Sequence, residues 1–158
     1  MNTKELIIKL TLDENTSIMR NARARPADKL TWKPLDAGRS ALDQIREFAQ
    51  SPLWVAMILS ARKWPDMDPG EWEKRMSEAE AWTTVDKCEE ICNANTLQCV
   101  EAIKAFPEGE MDKTITLPFA GGIVMSFAEI MLIQYWNCLY HNGQISYIQT
   151  LYGDKEMH

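Results

Sequence analysis

The sequence has little clustered positive charge. Its 17 lysines and arginines are outnumbered by 23 aspartates and glutamates, for a net charge of −6. The only grouping of three is Arg20, Arg23 and Arg25, and the rest are scattered. Affinity for phosphate backbones depends on clustered lysine and arginine. The charge pattern therefore argues against nucleic acid as a partner, and equally against docking on anionic lipid. Long apolar runs are also missing. A membrane-spanning helix needs about 18 or more consecutive apolar residues. The nearest candidate, Ile123–Leu139, is interrupted by Glu129, Gln134 and Asn137. Near the start, Lys4 and Glu5 precede only the short patch Leu6-Ile7-Ile8, which is not a signal-peptide pattern. No membrane partner and a cytoplasmic location are the expectations. The four cysteines include no Cys-x-x-Cys pair and fit reduced thiols in that compartment. No internal repeat and no low-complexity segment is visible. Histidine is scarce, with two in the chain.

What is present is an ordinary globular composition: 158 residues, 46% hydrophobic and 25% charged. That length supports a single domain, residues 1–158, with a substantial core. Periodicity predicts an all-α chain with four main helices. The first spans about Thr3 to Arg25 and stops before Pro26, which cannot continue a helix interior. The second opens at Ser40, an N-cap whose Asp43 completes a capping-box pattern. Pro52 is expected to kink or split it before Leu53–Ala61. Arg62–Gly70 reads as a loop, Glu71–Met76 as a short helical piece, and Ser77–Ala105 as the third long helix. Thr114–Leu117 alternates with a period of two and predicts a short strand, with Ile123–Met125 as its hairpin partner across Gly121-Gly122. Ser126 caps the fourth helix and Gly153 ends it. Such an arrangement is a four-helix bundle.

His141 is the most informative residue. At about 100° per residue, Phe127, Ile130, Gln134, Asn137, Ile145, Ile148 and Tyr152 all fall within about 40° of it. An amphipathic helix buries such a stripe. Three polar side chains, Gln134, Asn137 and His141, therefore enter an apolar face. A buried polar group without a partner costs roughly 1–3 kcal/mol, so each must find a side chain, a water, a metal or a ligand. Cys88, Cys92 and Cys99 share helical spacing with Val85, Thr96 and Ile103, which makes them a core stripe. Cys138, beside Asn137 in sequence, turns about 100° away from it. The six tryptophans are spread over loops and helices and are expected in the core or at subunit contacts.

Two stretches together resemble a known family. Trp32-Lys33-Pro34 followed by Gly38-Arg39-Ser40-Ala41-Leu42, and Tyr140-His141-Asn142-Gly143-Gln144-Ile145 with the tail Tyr147–Asp154, are similar to the second-helix start and last-helix signature of DinB-like four-helix bundles. The resemblance covers most of the chain and implies a bundle of DinB-like type. It also implies where a metal would be held. Family members bind a divalent ion through three histidines. One lies seven residues after the Ser or Thr that opens the second helix, and two lie four residues apart on the last helix. The matching residues here are Glu47, Asn137 and His141. Only His141 keeps the ligand type. A carboxylate is a good ligand for Zn or Ni and a neutral amide a poor one, so a weakly held Zn, Ni or Mn ion is the most the set would support. Periodicity groups Glu47 with Asp43, Trp54 and Ile58 on a mixed boundary face, and the resemblance alone points it inward. The same resemblance places Trp54 near Glu47 on a cavity wall.

Two function classes follow. One is an enzyme of thiol-transferase, isomerase or hydrolase type, with Glu47, Asn137 and His141 around a metal. Its metal-free form would use Glu47 and His141 as catalytic acid–base partners. The other is a non-catalytic bundle with a degenerate metal site and a residual polar pocket for a small molecule. There Glu47, Asn137 and His141 form a satisfied hydrogen-bond network. The last helix is apolar nearly all round, with Leu132, Tyr135, Trp136 and Leu139 off the His141 stripe. That pattern, with the family's habit, suggests a homodimer.

Overall fold

Three capping boxes start three of the helices in the computed structural model, which describes residues 1–66, 68–119 and 121–158. Helix α1 (Thr3–Arg23) begins at Asn2 and α2 (Ala41–Ala61) at Ser40. Ser40 Oγ accepts from the Asp43 N–H at 3.1 Å while Asp43 Oδ2 accepts from the Ser40 N–H at 2.9 Å. Helix α3 (Pro69–Glu80) starts at Asp68, with proline at its first position, and α4 (Val85–Ala105) starts at Thr84. A two-stranded antiparallel hairpin follows, β1 (Thr114–Leu117) and β2 (Ile123–Ser126), in register Thr114↔Ser126 to Leu117↔Ile123. The last helix, α5 (Phe127–Leu151), is capped by Ser126 in a box with Glu129. Gly121, Gly122 and Gly153 take positive φ, at the hairpin turn and just past α5.

Several boundaries differ from those read in the sequence. Helix α1 ends at Arg23 rather than Arg25. Arg25 folds back instead, its Nε donating to the Asn21 carbonyl at 3.0 Å and so capping the helix end. Pro52 does not split α2. It offers no N–H to the Phe48 carbonyl, but Phe48, Ala49, Val55 and Ala56 on either side are buried and hold the helix together. The largest correction concerns Ser77–Ala105. Its first residues belong to α3, which runs to Glu80, and the chain breaks before Thr84 opens α4. The Thr84 hydroxyl accepts from the Lys87 N–H at 3.2 Å. Arg46 of α2 holds the carbonyls freed at the break, donating to Glu80 and Trp82 at 2.8 Å each. An N-cap threonine and a cross-helix arginine together outweigh helical propensity.

Helices α1, α5, α2 and α4 close a ring, each packed on the next. Two apolar clusters fill it. One, nearer the hairpin, joins Ile7, Leu59, Ile103, Phe106, Phe127 and Ile130. The other joins Ile18, Leu42, Phe48, Cys92, Cys138 and Ile145. Between them runs a buried polar belt. Asn15 Nδ2 donates to Thr96 Oγ1 at 2.8 Å, and Gln134 Nε2 donates to Asn15 Oδ1 at 3.3 Å. Gln134 thus finds its partner on α1. Gln134 Oε1 is left without a partner among the described residues, so the belt is satisfied in part. Among the described residues no helix is long and apolar enough to cross a membrane. On the outer face of α5, Trp136, Leu139, Tyr140 and Tyr147 are exposed.

Candidate functional site

The bundle brings the first two turns of α2 against the C-terminal half of α5, and His141 lies in that seam with no exposed surface. Its Nδ1 donates to Gln44 Oε1 at 2.6 Å and lies 3.2 Å from Gln144 Oε1. Two carbonyl oxygens on one side of the ring put a hydrogen on Nδ1 and fix the ring's orientation. On the other side Nε2 is buried and has no hydrogen-bond partner among the described residues. The group it faces is Glu47, whose Oε1 stands 3.6 Å away. That is beyond hydrogen-bond range.

Glu47 is 54% exposed and ties its other oxygen to Arg39, with Nη2 to Oε2 at 2.6 Å. The neighbouring imidazole, when charged, and the Arg39 guanidinium hold the Glu47 carboxyl below its ordinary value, against the opposing pull of partial burial. Glu47 also borders a cavity of about 690 Å³. So do Asn137, one helical turn before His141, and a tryptophan group, Trp54, Trp64 and Trp72. Asp43, Trp54 and Ile58, which share the Glu47 face of α2, border it as well. The mixed face read in the sequence is a cavity wall, which is part apolar and part wet by nature. Behind the imidazole a smaller cavity of about 450 Å³ touches Gln44, Gln144, Tyr140 and Tyr147. Arg39 borders both cavities.

The three residues singled out from the sequence thus have different surroundings. Glu47 and His141 face each other, and Glu47 and Asn137 share a cavity. The expected hydrogen-bond network of His141, Asn137 and Glu47 has other members: the imidazole is held by Gln44 and Gln144, not by Asn137. Gln44 escaped the sequence reading. It precedes Glu47 by three positions, which places both on neighbouring lines of one helix face, and that was the available signal.

A divalent metal of the kind the resemblance implies would need three donors. Nε2 of His141 qualifies, since its Nδ1 is already oriented by carbonyl oxygens as metal-bound imidazoles usually are. The rest of the set does not. Among the described residues no three His, Cys, Asp or Glu side chains cluster. The amide of Asn137 is a weak third donor, and Arg39 already places a permanent cation on Glu47. These residues do not fit a three-ligand centre. The cysteines do not change this. All four are free and buried. Burial pushes Cys88 up to about 11 and Cys92 and Cys99 up to about 12, which keeps them protonated and poor as ligands.

The Glu47 carboxyl carries a pH signature. Its folded value lies below the ordinary 4.5, so its contribution to stability is complete above about 4.5 and is lost as pH falls towards about 2. Solvent screening of a half-exposed pair limits this to about 1 kcal/mol or less. Urea unfolding of wild type and Glu47→Gln between pH 6 and 2 is expected to show the variant less stable at pH 6 and the two curves converging below pH 4. Parallel curves across that range would show that Arg39 and His141 do not stabilise the charged carboxylate.

No family model matches the sequence, and no curated protein matches it. Solved structures do. The chain is similar to a DinB-like protein from Bacillus subtilis, with a TM-score of 0.66 and 14% identity over 97% of this chain and 96% of that one. It is also similar to a mycothiol-dependent maleylpyruvate isomerase, with a TM-score of 0.64 and 9% identity over 92% of this chain. The chain spans 61% of that isomerase's length. Identities this low speak to fold, and they agree with the helix ring and the hairpin before the last helix: the chain has the DinB-like four-helix-bundle fold.

Proposed function

We propose that the protein is a non-catalytic, metal-poor bundle that binds a small molecule in the tryptophan-walled cavity beside Glu47 and Asn137. The observation that carries this reading is the Arg39–Glu47 pair at 2.6 Å on the cavity wall, in front of the unpartnered His141 Nε2. It places a fixed guanidinium charge on the carboxylate that a metal would otherwise use. It also bears on catalysis. A general base works best with a pKa near the operating pH, and a carboxylate bonded to a guanidinium, and so held below its ordinary value, is a weak one. The cavity supports binding. At about 690 Å³ it lies within the usual range for small-molecule sites, roughly 300–1,000 Å³.

Elemental analysis of protein purified without an affinity tag tests the reading. Transition metal well below one equivalent per chain is expected. About one tightly held Zn, Ni or Mn per chain, lost in His141→Ala, would restore the alternative, a metal-dependent enzyme with Glu47, Asn137 and His141 as ligands.

A further inference from the structure

The groups at the polar end of the main cavity are unequally matched. Arg39 and Arg46 border it against Asp43, Glu47 and Glu80; Asp43 also meets Lys33 Nζ at 3.5 Å, which leaves Glu80 and the second oxygen of Glu47 without a cation among the described residues. Both arginines are engaged within the protein. Arg46 donates to the Trp82 and Glu80 carbonyls at 2.8 Å each and to Asp43 Oδ1 at 3.4 Å. Arg39 Nη2 meets Glu47 Oε2 at 2.6 Å and the Asp43 carbonyl at 3.0 Å. Glu47 Oε1 is not matched in this way: it faces the imidazole Nε2 across 3.6 Å. That Nε2 has no partner although His141 is fully buried. Buried polar atoms are nearly always satisfied. The atom it faces, Glu47 Oε1, has no other partner among the described residues, so that oxygen is the acceptor on the cavity wall left open to a group from outside the chain.

The apolar end is aromatic. Trp54 and Trp64 stack with centroids 5.8 Å apart and planes within 2°. Trp72 leans on Trp54 at 5.4 Å and 47°, and Phe119 meets Trp64 edge-on at 4.9 Å. The face of an indole attracts cations and repels anions. An anionic ligand would meet carboxylates and find the guanidinium groups already bonded.

Building on the small-molecule reading above, we propose that the cavity takes a small organic cation: a protonated amine or quaternary ammonium on an aromatic or branched apolar body. The charged nitrogen sits at Glu47 Oε1, the carboxylate oxygen that Arg39 leaves free, and the body lies against Trp54, Trp64 and Trp72. A protonated amine brings donors towards Glu47 Oε1, and a quaternary ammonium relies on charge and ring faces alone.

Three probes of similar size and different charge test this by calorimetric titration at pH 7: phenethylammonium, phenethyl alcohol and hydrocinnamate. Phenethylammonium is expected to bind at least about tenfold more tightly than either of the others. Glu47→Gln, at a half-exposed position, is expected to remove that preference, and Trp72→Leu to reduce it. Hydrocinnamate binding as tightly as the amine would overturn the assigned charge. Phenethyl alcohol binding as tightly would overturn the role of charge and leave the small-molecule reading standing. An unchanged amine affinity in Glu47→Gln would overturn the placement of the nitrogen. Binding of none of the three would overturn both readings.

Discussion

The double variant Glu47→His, Asn137→His is expected to hold about one Zn or Ni per chain after dialysis, where the wild type holds far less. The reasoning is geometric. His141 Nε2 is already buried, unpartnered and oriented through Nδ1 by Gln44 and Gln144. Position 137 lies one turn before it, so a histidine there forms an i, i+4 pair on one helix face. Position 47 on α2 already brings an oxygen to within 3.6 Å of that Nε2. Histidine at 47 also removes the carboxylate that anchors Arg39 and lets the guanidinium move away from the site. Asn137→His alone is expected to gain much less, because Glu47 would remain paired with Arg39. A double variant that stays folded and metal-free would show that these three positions do not converge on one point.

Phe48→Ala is expected to produce a loss of stability of several kcal/mol. Phe48 has no exposed surface and lies in the cluster with Ile18, Leu42, Cys92, Cys138 and Ile145, contributed by all four bundle helices. Phe-to-Ala changes at such sites cost roughly 3–5 kcal/mol, the transfer term plus the cavity left behind. The backbone here has little room to relax, because Pro52 and the packed Ala49 follow within a turn of Phe48. For a domain of this size each kcal/mol lowers Tm by roughly 2–4 °C, so a fall of about 6–20 °C is expected by calorimetry. A fall of less than about 3 °C would show that the α2 seam collapses to fill the space, contrary to a tightly packed core.

Legibility followed the range of the interaction. Ser40 with Asp43 and Ser126 with Glu129 were readable because a capping box spans three residues and depends on nothing else. The hairpin was readable because alternation in Thr114–Leu117 and two glycines in the turn are local signals. The break before Thr84 was not read. Its cap is local, but the arginine that holds the freed carbonyls comes from residue 46 on another helix. The buried stripe on α5 was readable as a stripe, and its polar members as groups needing partners. Their partners were not, because Gln44 lies 97 positions from His141 and Asn15 lies 119 from Gln134.

By itself, the sequence determined that this chain is helical, where most of its helices begin, that a hairpin precedes the last one, and that His141 is buried on an apolar face. Those properties rest on the 3.6-residue period, on capping three residues apart and on the cost of leaving apolar area in water. Only the tertiary structure decided that Glu47 faces the imidazole while bound to Arg39, that Gln44 and Gln144 orient the ring, and that three tryptophans from two helices and a loop wall one cavity. Each of these depends on where separate helices cross. Crossing is set by the fit of whole side-chain surfaces, and no single stretch of sequence encodes it.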